Sequence, residues 1–128
     1  MRKSPLTAPW EPLFSKKTDK AIIIGLYADT QHCNSRGFVH GGLISTLSDN
    51  AMGLSCAQHY DNNTLGGLVT ISLHIDFTNS VKHGDWLECV THHVNAGRSI
   101  ATAQGHVIAN GKTCAMIGAT FKVLTKSG

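Results

Sequence analysis

The chain is poor in several things, and each shortage narrows what it can be. Prolines number three and all fall before residue 13, so nothing later breaks a helix or bars a central strand for lack of an N–H. No stretch approaches the ~18 uninterrupted apolar residues of a membrane span. The N-terminus "MRKSPLTAPWEPLFSKK" lacks the apolar core of a secretory signal. A cytoplasmic location is therefore expected. The four cysteines, Cys33, Cys56, Cys89 and Cys114, contain no C-x-x-C, and reduced, structural thiols fit better than a disulfide framework. Eight histidines are present without H-E-x-x-H or a Cys/His pair at zinc spacing. His92 and His93 are neighbours, so on a strand they point to opposite faces and cannot share an ion. No metal site is expected. Charge is also sparse, at 15% of residues with a net +3. The basic residues are scattered, which excludes a nucleic-acid footprint and leaves room for an anionic small ligand.

What is there suits one domain. A chain of 128 residues with 41% hydrophobic content can bury a core but is too short for two. Residues 1–20 read as an extended N-terminal arm, pinned by Trp10, Leu13 and Phe14. Residues 21–125 read as the folded domain. "AIIIGLYA" is a short β-branched strand, and "DTQHCNSRGFVH" a loop. In Leu43, Leu47, Ala51 and Leu54 the helical period is clear. Later segments alternate with period two, as in "TISLHIDF", and Asn110-Gly111 marks a hairpin. The order β-α-β-β-β-β predicts an α+β domain, a curved antiparallel sheet wrapped around one central helix.

That helix has an anomaly. Between Gly42 and His59 the only formal charge is Asp49, nearly opposite the apolar stripe and beside Met52, Gly53 and Cys56. A helix with no charged face is normally covered on both sides. The sheet covers one, and a second copy of the chain is the simplest cover for the other. An unpaired buried carboxylate costs several kcal/mol or becomes neutral. Asp49 therefore either bonds to backbone amides or to hydroxyls such as Ser45 and Ser48, or serves as a sheltered base or nucleophile. His40-Gly41-Gly42 opens the same helix, where the first N–H groups lack internal partners. Bare glycine amides at the positive end of a helix suit an acyl carbonyl becoming an oxyanion. Gly41 and Asp49 lie eight residues apart, about 12 Å along an ideal helix. Within one subunit they cannot serve one carbonyl; across a two-fold dimer they can.

The run Asn34…"GFVHGG"…"DNAMG", followed by "SLHIDF", "HGD" and "GRS", resembles the hotdog-fold acyl-CoA thioesterases of the phenylacetyl-CoA thioesterase-like (PaaI-like) group. The resemblance covers Ile22 to Val123. It implies that Gly41 donates its N–H to the thioester carbonyl and that His40 and Gly42 shape that site. It further implies that Asn34 orients water or substrate, and that Asp49 of the partner subunit attacks or activates water. Thr70 stands where some relatives hydrogen-bond the acid. Met52 and Gly53 would meet the acyl group, and Arg98 and Ser99 the coenzyme A nucleotide, with Lys82, His83 and Lys122 weaker phosphate candidates. The resemblance implies no cofactor beyond coenzyme A carried in the substrate, and self-association as a homodimer that can pair into a homotetramer. No nucleic acid or membrane is implied. The rivals are a hydratase or dehydratase of the same fold, a non-catalytic acyl-CoA-binding protein, and an oligomeric scaffold.

Overall fold

The computed structural model describes residues 4–126. Its centre is α1 (Gly41–Ala57), held in a six-stranded sheet of β1 (Phe14–Lys17), β2 (Ile22–Tyr27), β3 (Leu65–Phe77), β4 (Trp86–Ala96), β5 (Ile100–Ala109) and β6 (Lys112–Thr125). The spatial order is β1-β2-β4-β5-β6-β3, and every neighbouring pair is antiparallel. This is the hotdog arrangement.

Local chemistry explains most of it. The β5–β6 hairpin turns at Asn110 and Gly111, with φ of 49° and 81°, the positive pair a type I′ turn requires. On the inner face of β5, Ala101, Ala103, Val107 and Ala109 are all buried. These small side chains let the helix approach the sheet closely, and Leu47, Ala51 and Met52 fill the space between them.

Three expectations need correction. The helix buries a wider arc than one stripe: Ser48, Met52, Ser55 and Cys56 are fully buried, and Leu54 only partly so. The sheet curves far enough round α1 to cover Met52 and Cys56, which a flat cover would leave beside Asp49. Buried Ser55 is satisfied, its Oγ donating to the Ala51 carbonyl at 2.7 Å and accepting from the Ile22 N–H at 3.0 Å.

The N-terminal segment is not extended throughout, and its first three residues lie outside the described ones. Pro5–Trp10 forms a 3-10 turn, and β1, inside the expected arm, pairs with β2 as a full sheet member. Buried His32 fastens this segment. Its Nδ1 accepts the Asp29 N–H at 2.9 Å, which leaves the proton on Nε2 to donate to the Trp10 carbonyl at 2.8 Å.

The alternation expected of His92 and His93 is broken by a bulge between Thr91 and His93, and both side chains are exposed. Among the described residues no three His, Cys, Asp or Glu side chains gather into a metal-binding group, and no helix is long and apolar enough to cross a membrane.

β3 is a sheet edge. It pairs with β6 alone, yet carries Val69, Ile71 and Phe77 at 49%, 57% and 51% exposure. A long edge strand with bare apolar side chains is a template for another strand.

Candidate active site

Residues Asn34 to Val39 form a tight loop that delivers the chain to α1. Asn34 Oδ1 accepts the N–H groups of Arg36 (2.9 Å) and Phe38 (3.2 Å), and the Asn34 N–H donates to the Phe38 carbonyl at 2.8 Å. The side-chain oxygen of Asn34 is thus committed to its own loop. Its amide hydrogens remain for a ligand.

His40 caps α1, its Nδ1 accepting the Gly42 N–H at 3.0 Å. That bond divides the two glycines. Gly42 has spent its donor, whereas the Gly41 N–H has no acceptor among the described residues. A neutral His40 with Nδ1 as acceptor carries its proton on Nε2, a second donor at the same helix end. Gly41 also lines a cavity of about 440 Å³ with Phe77, Asn79 and Ser80. A Cβ at Gly41 would sit 3.3 Å from Phe77 Cζ, so the glycine keeps this wall open. Sequence reasoning did not link Phe77 to Gly41, because no local pattern shows that the end of β3 meets the start of α1.

Two turns further on, Asp49 Oδ1 accepts a hydrogen bond from Thr70 Oγ1 at 2.9 Å. Thr70 lies beside a bulge in β3, which carries it to the inner face opposite the helix. Neither Ser45 nor Ser48 takes this role. Ser45 Oγ donates to the Gly41 carbonyl at 2.9 Å, and Ser48 Oγ lies 3.8 Å from Cys89 Sγ in the core. Asp49 is half-buried and opens on a cavity of about 450 Å³ that also touches Asn50, Gly53, Leu54 and Thr70. Gly53 lines this cavity. Met52 does not line it; its side chain is sealed in the core. The far walls come from Leu65, Leu68 and the N-terminal segment, partners invisible to any pattern within the helix.

Gly41 and Asp49 therefore face different cavities in the single chain. Arg98 and Ser99 are exposed on the β4–β5 turn, and Tyr60, just past the C-terminal end of α1, donates to the Gly97 carbonyl there at 2.6 Å. That turn lies at the opposite end of the helix from Gly41. Lys82 bridges to Phe38 and lies at the Gly41 end. His83 sits there too, its Nε2 3.4 Å from Asp29 Oδ1. No thiol is poised as a nucleophile. Burial pushes Cys56 up to about 11 and Cys89 to about 12, and Cys33 beside Asn34 is raised by desolvation and then by Asp29.

A model of the thioesterase superfamily matches residues 36–115, well over half of the chain and spanning Gly41, Asp49 and Thr70. The chain belongs to the thioesterase superfamily. "Putative esterase PA0474" of Pseudomonas aeruginosa is 32% identical over 121 residues, covering 94% of this chain and 89% of that protein. Among solved structures, smu.793 of Streptococcus mutans UA159, bound to acetyl CoA, is 25% identical with a TM-score of 0.80, covering 93% of this chain and 94% of that one. A mutant of the phenylacetic acid degradation protein PaaI of Thermus thermophilus shares the fold at a TM-score of 0.81 and 23% identity, covering 94% and 100%. Thioesterase-superfamily membership makes this chain a hydrolase. Thioester cleavage in general needs a donor for the oxyanion and a base.

Proposed function

We propose that this protein is an acyl-CoA thioesterase whose active sites form between two copies of the chain. The observation that carries the reading is the division of labour along α1: an unpaired Gly41 N–H at its start, and a Thr70-held carboxylate at Asp49 about 12 Å further on. Neither group completes a site alone. Two antiparallel copies joined along the exposed edge of β3 bring the Gly41 end of one helix toward Asp49 of the partner subunit.

In this arrangement the thioester carbonyl lies against the Gly41 N–H at the positive end of α1, with His40 Nε2 beside it. Asp49 of the partner subunit takes a proton from water as the water oxygen bonds to the carbonyl carbon. Collapse of the tetrahedral intermediate breaks the C–S bond, and the proton leaves with the coenzyme A thiolate. The free amide hydrogens of Asn34 stand before the helix to orient water or substrate. Lys82 at the same end is better placed than Arg98 for a phosphate on this protomer's substrate. The acetyl CoA bound to the Streptococcus mutans relative supports coenzyme A as the carrier, and no further cofactor enters the chemistry. Asp49 is the residue that separates an enzyme from an acyl-CoA-binding protein, because binding alone needs no base.

The test is thiol release from a panel of acyl-CoA substrates by the full chain and by Asp49→Ala. Loss of turnover by about a hundredfold or more with binding retained is expected from removal of a general base. Equal rates in the two proteins would overturn the role of Asp49, and absence of turnover in both would favour the binding protein.

A further inference from the structure

The cavity at Asp49 has two long walls that can be followed residue by residue. On α1, Asp49, Gly53 and Ala57 line it at every fourth position, a row about 12 Å long. On β3 the lining runs from Thr70, which holds Asp49, back to Leu65, about 17 Å at the rise of a strand. Both walls start at the carboxylate and run toward the C-terminal end of the helix. The N-terminal segment supplies another side, where two polar side chains bond to its own backbone. Thr7 Oγ1 donates to the Ser4 carbonyl at 3.1 Å, and Glu11 Oε1 accepts the Leu13 N–H at 2.9 Å. What remains toward the space is mainly Leu13, Ile24, Leu54, Leu68 and Phe121. A mainly apolar slot with a few polar groups, here Asp49, Asn50, Thr70 and those of the N-terminal segment, is the usual form of a small-molecule site.

We infer that this slot is the acyl site, and that it takes an unbranched medium-chain acyl group lying along α1. The carbonyl sits at Asp49 and the methyl end near Ala57 and Leu65. The inference rests on the thioesterase reading above and adds the substrate class to it. Elongated walls favour a chain over a compact ring, and walls of about 12 to 17 Å are shorter than a fully extended palmitoyl chain.

Gly53 is the specificity-determining position. It lies at the middle of the helical row, and a Cβ built there meets only Phe121 Cε1 and Cζ, both at 3.7 Å, which is ordinary contact. The fold accepts a side chain at this point, and that side chain enters the slot. Leucine in place of glycine also improves helix propensity, so the substitution closes the passage without a penalty in the helix.

The experiment compares kcat/KM for acetyl-, hexanoyl-, octanoyl-, decanoyl-, palmitoyl- and benzoyl-CoA in the full chain, Gly53→Ala and Gly53→Leu, with thermal unfolding by circular dichroism as the folding check. The parent is expected to prefer the medium chains over acetyl, palmitoyl and benzoyl by about tenfold or more, a few methylenes' worth of discrimination. In Gly53→Leu the octanoyl-to-acetyl ratio is expected to fall by about tenfold or more, with Gly53→Ala intermediate. A flat or benzoyl-centred profile in the active parent overturns the inference while leaving the thioesterase reading intact. So does a folded Gly53→Leu, or Gly53→Ala if leucine does not fold, whose ratio equals the parent's. If the parent hydrolyses none of the six, the thioesterase reading itself fails and the inference with it.

Discussion

Thr70 Oγ1 donates to Asp49 Oδ1 across 2.9 Å, joining the sheet edge to the middle of the helix. The hydroxyl fixes which way the carboxylate faces. Thr70→Val keeps the shape and removes the donor, and one lost hydrogen bond to a charged acceptor is worth about 1.5–3 kcal/mol. Turnover of the preferred acyl-CoA is expected to fall by about ten- to a hundredfold on that scale. Thr70→Ser, which retains the donor, should recover most of it in the same steady-state assay.

Gly41 offers a cleaner separation of chemistry from folding. Proline is well tolerated at the first position of a helix, where its missing N–H has no partner to lose. His40, at φ −64° and ψ 132°, already has the extended backbone that a following proline demands. Gly41→Pro is therefore expected to stay folded but lose the N–H proposed to hold the oxyanion, lowering kcat by about a hundred- to a thousandfold, and well below Gly41→Ala, which adds the same Cβ beside Phe77 and keeps the N–H. A folded Gly41→Pro with parental kcat would show that this amide does not meet the reacting oxygen.

The exposed apolar edge of β3 predicts self-association. Ile71→Lys places a charge at a site 57% exposed in the single chain, and charge on an edge strand discourages pairing. Sedimentation velocity should show the parent larger than one chain and the variant shifted toward it, with activity falling in parallel. A fully active single chain would end the shared-site proposal.

Gly25 tests the opposite end of the sheet. A Cβ there would lie 2.4 Å and 2.5 Å from Trp86 Cζ2 and Cη2, because the indole packs against the glycine with Tyr27 at 4.5 Å between ring centroids. Gly25→Ala must displace that ring. A destabilisation of about 1–3 kcal/mol is expected, measured as a lower denaturant midpoint together with altered tryptophan fluorescence.

The buried thiols predict a loss of stability in alkali. Cys56 and Cys89 are raised from 9.0 to about 11 and about 12 by burial. Folding therefore favours their protonated forms. Their contribution is fully present below pH 9.0 and is lost as pH rises toward 11 and 12, since the unfolded chain ionises first. Urea midpoints followed upward from about pH 8 should decline, and Cys56→Ala should flatten part of that decline.

Part of the candidate site was legible in the sequence. His40-Gly41-Gly42 announced a helix start with spare amides, because the end of a helix and the freedom of glycine are local properties. Asp49 stood out because a lone charge in an apolar helix is visible by composition. The division between Gly41 and Gly42 was not readable, since it depends on the rotamer His40 adopts as a cap. Nor was the pairing of Asp49 with Thr70 over Ser45 or Ser48, which requires the bulge in β3. β1 was hidden because "FSKK" has no alternation of its own and becomes a strand only against β2.

The sequence by itself determined the periodic elements, their order, and the glycine and carboxylate spaced along one helix, because these follow from near-neighbour backbone and side-chain chemistry. Only the tertiary structure decided which face of that helix is buried, what walls the cavity at Asp49, and that Gly41 opens elsewhere. Those outcomes depend on how far a curved sheet wraps the helix and where the N-terminal segment returns. Contacts between residues distant in the chain decide both, and no local pattern encodes them.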